Sequence, residues 1–265
     1  MPAASAPVGP VGPRERLAPR TALTESVLVL GVSLGASAIW SALSLVRKFT
    51  AQESLSTQVT AMNQSVTPDR PWLDLTHQLV GIGLAVVPVV LALHLLARQH
   101  PHPGRLIGLD RDAPLRDLGQ GLALAAVIGI PGLGLYLGAR ALDLNTTVAA
   151  ADLTTVWWTI PVLVLAAGQN AVLEEVIMLG YLFTRWREAG WSPVTIVVVS
   201  ALVRGSYHLY QGLGGFVGNV AMGLLLGAVY LRVRRTAPMI IAHWVIDIVA
   251  FVGYALLVTR VGWLG

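Results

Sequence analysis

The sequence predicts an all-α, polytopic membrane protein of about seven transmembrane helices, with a polar site formed by the C-terminal four. Three observations carry that expectation. Of 265 residues, 55% are hydrophobic and only 12% charged, and mean hydropathy is +0.68. A soluble domain carries about 25% charged residues, so there are too few charges here to cover a water-facing surface. The apolar residues also fall into windows of about twenty, enough at about 1.5 Å per residue to cross roughly 30 Å of hydrocarbon. Finally, the ionisable residues that interrupt these windows gather in the second half of the chain.

Residues 1–21, opening MPAASAPVGPVGPRERLAPR, are rich in Pro, Ala and Gly, and read as a disordered cytoplasmic tail. They do not form a cleavable signal, because the apolar stretch that follows is too long and ends in LSLVRKF. Residues 22–265 then read as one integral membrane domain, with no repeat of fixed period. Its first window is 24–46, followed at 49–76 by the longest external connection, in which nothing suggests chemistry. Windows at 77–97 and 118–139 flank a loop containing HPHPGR, whose His100 and His102 read as solvated, with no acidic partner nearby in sequence. The fourth window, 155–185, is long enough to tilt, to kink at Pro161 or to project from the bilayer. Windows at 192–211, 213–232 and 237–259 complete the set.

GxxxG spacings at Gly31/Gly35, Gly134/Gly138 and Gly223/Gly227 read as packing within the molecule. Trp157, Trp158, Trp186 and Trp191 bracket helix ends, as an aromatic belt does. NTT at Asn145 fits a glycosylation acceptor, a pattern short enough to carry little weight.

Arginines set the orientation, since cytoplasmic loops hold the Lys/Arg excess. Arg14, Arg16 and Arg20 precede the first window, Arg98, Arg105, Arg111 and Arg116 follow the second, Arg185 and Arg187 the fourth, and Arg232, Arg234 and Arg235 the sixth. The opposite loops hold Arg47, Lys48, Arg70, Arg140 and Arg260. The chain therefore reads as a multi-pass protein of the cell membrane, N-terminus in the cytoplasm and C-terminus outside. Its net charge of +4 is explained by this topology and by anionic lipid, so the expected partner is the bilayer and not a nucleic acid. With no cysteine, disulfides, thiolate metal sites and a cysteine nucleophile are excluded.

Glu174, Glu175, Arg204, His208, His243 and Asp247 all lie in the last four windows, with Gln169, Asn170 and Asn219. A charge at a helix centre costs about 3 kcal/mol on insertion scales, so this many imply a shared polar cavity. Residues four apart share a helix face, which pairs Asn170 with Glu174, Arg204 with His208 and His243 with Asp247. Counted from the arginines, Glu174 is roughly 17 Å deep, His243 roughly 12 Å and Asp247 roughly 18 Å. His208 comes out deeper, at about 20–25 Å, unless its helix starts late, after Pro193.

The motifs EEVIMLGYL at Glu174, RGSYH from Arg204 to His208 and HWVID from His243 to Asp247 together resemble the CPBP family of intramembrane proteases. That family includes CAAX-processing endopeptidases of the Rce1 type and bacterial Abi and bacteriocin-immunity relatives. The resemblance covers about residues 155–259 and implies hydrolysis of membrane-associated peptides or proteins. It assigns Glu174 as base, His208 as a holder of the water, and His243 and Asp247 as groups facing the oxyanion, with Glu175 and Arg204 in support. It leaves the cofactor open between none and a divalent metal such as zinc, which would take Glu174, His208 and His243. Two positions depart from the pattern. Leu179 stands where the family has Arg after the Glu pair, and Asp247 where the eukaryotic relatives have Asn.

Alternative readings are a catalytically inactive membrane scaffold or immunity protein and a proton-coupled carrier; the confinement of polar groups to one half argues against the carrier, which would repeat them in both. Arg204 is the expected replacement for the missing cation. Arg204→Leu should therefore destabilise or inactivate the protein.

Overall fold

The computed structural model describes residues 17–257, so residues 1–16 of the predicted tail lie outside the described part. Helix α1, Pro19–Gly31, opens with proline in its first turn, where the missing N–H has no partner to lose. Its start falls two residues inside the predicted tail. Helix α2, Leu34–Phe49, follows after a bend of 54°. The Ser33 hydroxyl donates back to Val29 O at 2.6 Å in this bend, a back-bond that bends helices. The first window is thus a broken helix pair.

Strand β1 is Val59–Ala61, helix α3 Pro71–Ala97, the short α4 Pro103–Leu106 and α5 Pro114–Ala141. Strand β2, Thr147–Ala149, pairs in parallel with β1, Val59 opposite Thr147 and Ala61 opposite Ala149. The connection at 49–76 therefore shares a two-stranded sheet with the connection that follows α5, which the sequence did not announce. Helix α6, Thr159–Glu175, continues through a π-helical segment, Val176–Tyr181, into α7, Leu182–Glu188. Helices α8, Pro193–Ser206, α9, Leu213–Val233, and α10, Ala237–Leu257, complete the order.

The all-α polytopic class holds, while the number of spans differs from the seven windows. Among the described residues five helices are long and apolar enough to cross a membrane, or six with the bent pair as one. The window at 192–211 is the one that does not span. At 14 residues α8 is about 21 Å long, short of the roughly 30 Å core. The chain leaves the helix at Tyr207, makes a 3-10 turn at Leu209–Gln211 and turns back at Gly212, whose φ is +118°. A Cβ on Gly212 would lie 2.6 Å from Leu144 O, so only glycine fits.

Helix α6 is the centre of the bundle. Its apolar window is 61% buried, against 11–22% for the other four spanning helices. It is flanked by α3 and α10, while α8 packs on α9 and α10 also on α5. Gly223 brings α9 against α8 so closely that a Cβ there would lie 2.8 Å from Ala201 Cα. Of the three GxxxG spacings, Gly223/Gly227 packs internally at both glycines and Gly31/Gly35 only at Gly35, against Leu30, while Gly134 and Gly138 have nothing within 4 Å of an added Cβ. Trp72 meets Trp157 edge to face at one end of the bundle, and Trp186 stacks on Trp191 at the arginine-rich end.

That arginine-rich end is held by ion pairs. Arg185 is fully buried and reaches Glu25 at 3.0 Å, Glu188 at 2.8 Å and Leu95 O at 2.8 Å, tying α7 to α1 and α3. Glu188 also receives His100 Nε2 at 2.7 Å, an acidic partner contributed by a distant part of the chain. Arg235 donates to Asp117 at 2.7 and 2.8 Å and to Asp110 at 2.9 Å, clamping the loop before α5 against the start of α10.

The bond from Arg235, with a backbone N–H from Asp112, holds the Asp110 carboxyl below its ordinary value. A depressed folded-state value means that the stabilisation is present above the unfolded-state pKa, about 3.9, and fades as pH falls through the folded one. Acidification below about pH 4 should speed amide exchange at 107–113 while α6 stays protected. Unchanged exchange over that range would show that the clamp carries no weight.

Candidate active site

The sequence places Glu174 and Glu175 at the last two positions of α6, immediately before the π segment. A π bulge inserts one residue into the helical register and frequently marks a functional site. Here it lets both acids turn inward: Glu175 is 0% exposed and Glu174 8%. Arg204, near the end of α8, is 1% exposed and bridges them, with Nη1 3.1 Å from Glu174 Oε2 and Nη2 2.6 Å from Glu175 Oε1. The cation missing at Leu179 is thus delivered from the neighbouring helix. Leu179 itself sits in the apolar core.

The two acids share this arginine and otherwise have different partners. Glu175 Oε1 also receives His243 Nδ1 at 2.8 Å, which fixes that ring on α10. Its Nε2 then faces Asp247 Oδ2, one turn on, at 3.6 Å. Asn170 Nδ2 reaches Asp247 Oδ2 at 3.5 Å, so the α6 and α10 faces meet as their spacing implied. Glu174 Oε2 takes the Tyr207 hydroxyl at 2.7 Å and faces His208 Nε2 at 3.9 Å. Among the described residues Glu174 Oε1 makes no hydrogen bond, and neither ring nitrogen of His208 has a hydrogen-bond partner. One carboxylate oxygen and one imidazole are left to act on something else.

All six predicted residues therefore meet at the junction of α6, α8 and α10. Tyr207 was not among them. It lies three residues after Arg204, so the spacing rule that joined Arg204 to His208 would also have found it.

His208 occupies the turn after α8, where the backbone is not helical. Irregular backbone at membrane depth is tolerated only when protein groups satisfy it. Ser41 of α2 donates to Tyr207 O at 2.8 Å. Lys48 donates to Tyr210 O and to Thr60, and Thr146 donates to Gln211 O through both its backbone N–H at 2.8 Å and its hydroxyl at 3.0 Å. Lys48, 6% exposed, is accordingly a structural cation and not a loop charge. Asn145 accepts from Gly215 N at 2.8 Å and is 1% exposed, so it is no glycosylation acceptor in this fold.

The tightest group of potential ligands differs by one residue from the set that the resemblance implies, Glu174, His208 and His243. Among the described residues, ligand atoms of Glu174, Glu175 and His243 lie within 4.8 Å of one another. Both carboxylates are already bonded to the Arg204 guanidinium, and His243 Nδ1 to Glu175. A divalent cation there would sit against a fixed positive charge, so these donors do not fit a zinc centre.

Residues 156–249 match the family model described as Type II CAAX prenyl endopeptidase Rce1-like. Neither a curated protein nor a solved structure matches the chain.

Arg204→Leu leaves two carboxylates buried without their cation, a class of change that costs about 3–5 kcal/mol. Thermal unfolding in detergent should show a large loss of stability. Tyr207→Phe removes one donor from Glu174 and should cost about 1 kcal/mol. Equal stability of Arg204→Leu and wild type would refute the bridging role.

Proposed function

We propose, on the match of residues 156–249 to the Rce1-like family of type II CAAX prenyl endopeptidases, that this multi-pass membrane protein hydrolyses peptide bonds by a water activated directly by Glu174. The observation that carries the proposal is the division of labour on Glu174. Its Oε2 is held by Arg204 and Tyr207, while its Oε1 makes no hydrogen bond to any described residue.

A fixed carboxylate with one open oxygen can hold a water and take its proton as the oxygen attacks a peptide carbonyl. His208, with two unpartnered ring nitrogens beside Glu174, is placed to orient the same water. The attack puts negative charge on the carbonyl oxygen, which needs a donor fixed beforehand. The His243 ring lies between Glu175 and Asp247, and as an imidazolium it donates from Nδ1 to Glu175 and from Nε2 toward the oxyanion. Glu174 then returns the proton to the leaving amine, so that base and acid are one group. Glu175 and Arg204 keep His243 and Glu174 in register. No resident metal enters these steps.

Counted from Glu188, the site lies about 20 Å up the helix, and the arginine excess assigns that end to the cytoplasm. Membrane-associated peptides or proteins entering from that side are the proposed substrates.

Glu174→Gln removes the base and keeps the side chain's shape. In cells producing each protein at equal abundance, peptide-terminus mapping of the membrane proteome should show new termini with wild type and none with the variant. Identical termini from two folded proteins would favour the inactive scaffold.

A further inference from the structure

At the arginine-rich end, α4, α7 and α9 enclose a pocket of about 250 Å³ outside the candidate active site. Its walls are Leu106, Phe183, Thr184 and Tyr230, and its rim is Arg187, Arg234 and Glu188. The rim is electrostatically lopsided. The Glu188 carboxylate is engaged by Arg185 at 2.8 Å and His100 at 2.7 Å, whereas the guanidinium groups of Arg187 and Arg234 make no hydrogen bond or ion pair with any described residue.

Neighbouring arginines at the same end are treated differently: Arg98 pairs with Glu25, Arg185 with Glu25 and Glu188, and Arg235 with Asp110 and Asp117. Arg234 is also held by the backbone. It caps α9 in the left-handed region, φ 57°, with its N–H on Tyr230 O at 2.8 Å. Tyr230 is 4% exposed, its ring set edge to face on Phe183, and its hydroxyl has no partner among the described residues. Two unpaired guanidinium groups and an idle hydroxyl thus face one pocket with apolar walls.

We propose that this pocket binds the phosphodiester headgroup of an anionic phospholipid. Arginine presents a planar fork that matches phosphate oxygens in pairs, and the tyrosine hydroxyl can donate a third bond. The apolar side chains of Leu106, Phe183 and Tyr230 suit the glycerol and the first carbons of the acyl chains. The site lies at the level where headgroups sit, as Trp186 and Trp191 at the same end indicate. A soluble phosphate ester would match the arginines and leave the apolar walls without a role.

Native mass spectrometry of the full chain in detergent, titrated with phosphatidylglycerol or phosphatidylcholine, tests this. One tightly held phosphatidylglycerol is expected, with binding weakened roughly ten- to thirty-fold in the double variant Arg187→Gln/Arg234→Gln. The control, Arg111→Gln/Arg116→Gln, removes two arginines from the same end outside the pocket and should bind like wild type. Equal weakening in both double variants would reduce the effect to general surface charge and overturn the site. Full displacement of the lipid by millimolar inorganic phosphate would overturn the lipid as its occupant. Binding does not require turnover, so failure here leaves the peptidase reading intact, and an inactive enzyme leaves this site intact.

Discussion

Everything around the candidate site follows from one buried fork, Arg204 between Glu174 and Glu175. Three charges inside a membrane bundle survive only if each faces another, and the geometry leaves little freedom in how that is done. The guanidinium comes from α8, while Leu179, in the π segment that follows Glu175, lies in the apolar core. The carboxylates must point inward together, which the π segment after Glu175 permits. Glu175, already fully buried, extends the constraint to α10 through His243. The Arg204 fork and the His243 bond therefore link three helices, and among the described residues Glu174 Oε1 and the ring nitrogens of His208 are left without hydrogen bonds.

A second constraint concerns depth. Helix α8 stops part-way through the bundle so that His208 can stand on a turn, and a turn at that depth exposes carbonyl groups that lipid cannot bond. Ser41, Lys48, Thr60 and Thr146 supply those bonds from α2 and the two-stranded sheet. The part of the chain outside the three motifs thus has a defined physical task.

Spanning helices were legible because hydrocarbon demands a long apolar run and little else. The ends of α3, α5, α9 and α10 lie close to the windows read from sequence. The convergence of Glu174, Arg204 and His243 was legible for a related reason: isolated charges in apolar helices have few places to go. The break between α1 and α2 was hidden, since Gly31 and Ser33 are common within spans and hydropathy is blind to direction. The early end of α8 was hidden likewise, because Tyr207, Leu209 and Tyr210 are apolar enough to continue a window while the backbone leaves the helix. The β1–β2 pair, three residues a side, depends on partners almost ninety positions apart. A similar separation concealed Glu188 from His100, and one of 162 positions concealed Tyr210 O from Lys48.

The bonds to the turn at His208 also bear on how the chain is made. Residues 156–249 contain every motif and the whole ionic fork, yet they are not closed in hydrogen bonding: the carbonyls of Tyr207, Tyr210 and Gln211 are completed by residues 41, 48, 60 and 146. The N-terminal helices leave the ribosome first and would be waiting in the bilayer when the turn arrives. A chain translated in the reverse order would insert a bare turn into lipid. The order of the halves along the gene is thus an assembly instruction, in which the earlier segment acts as a built-in template for the later one.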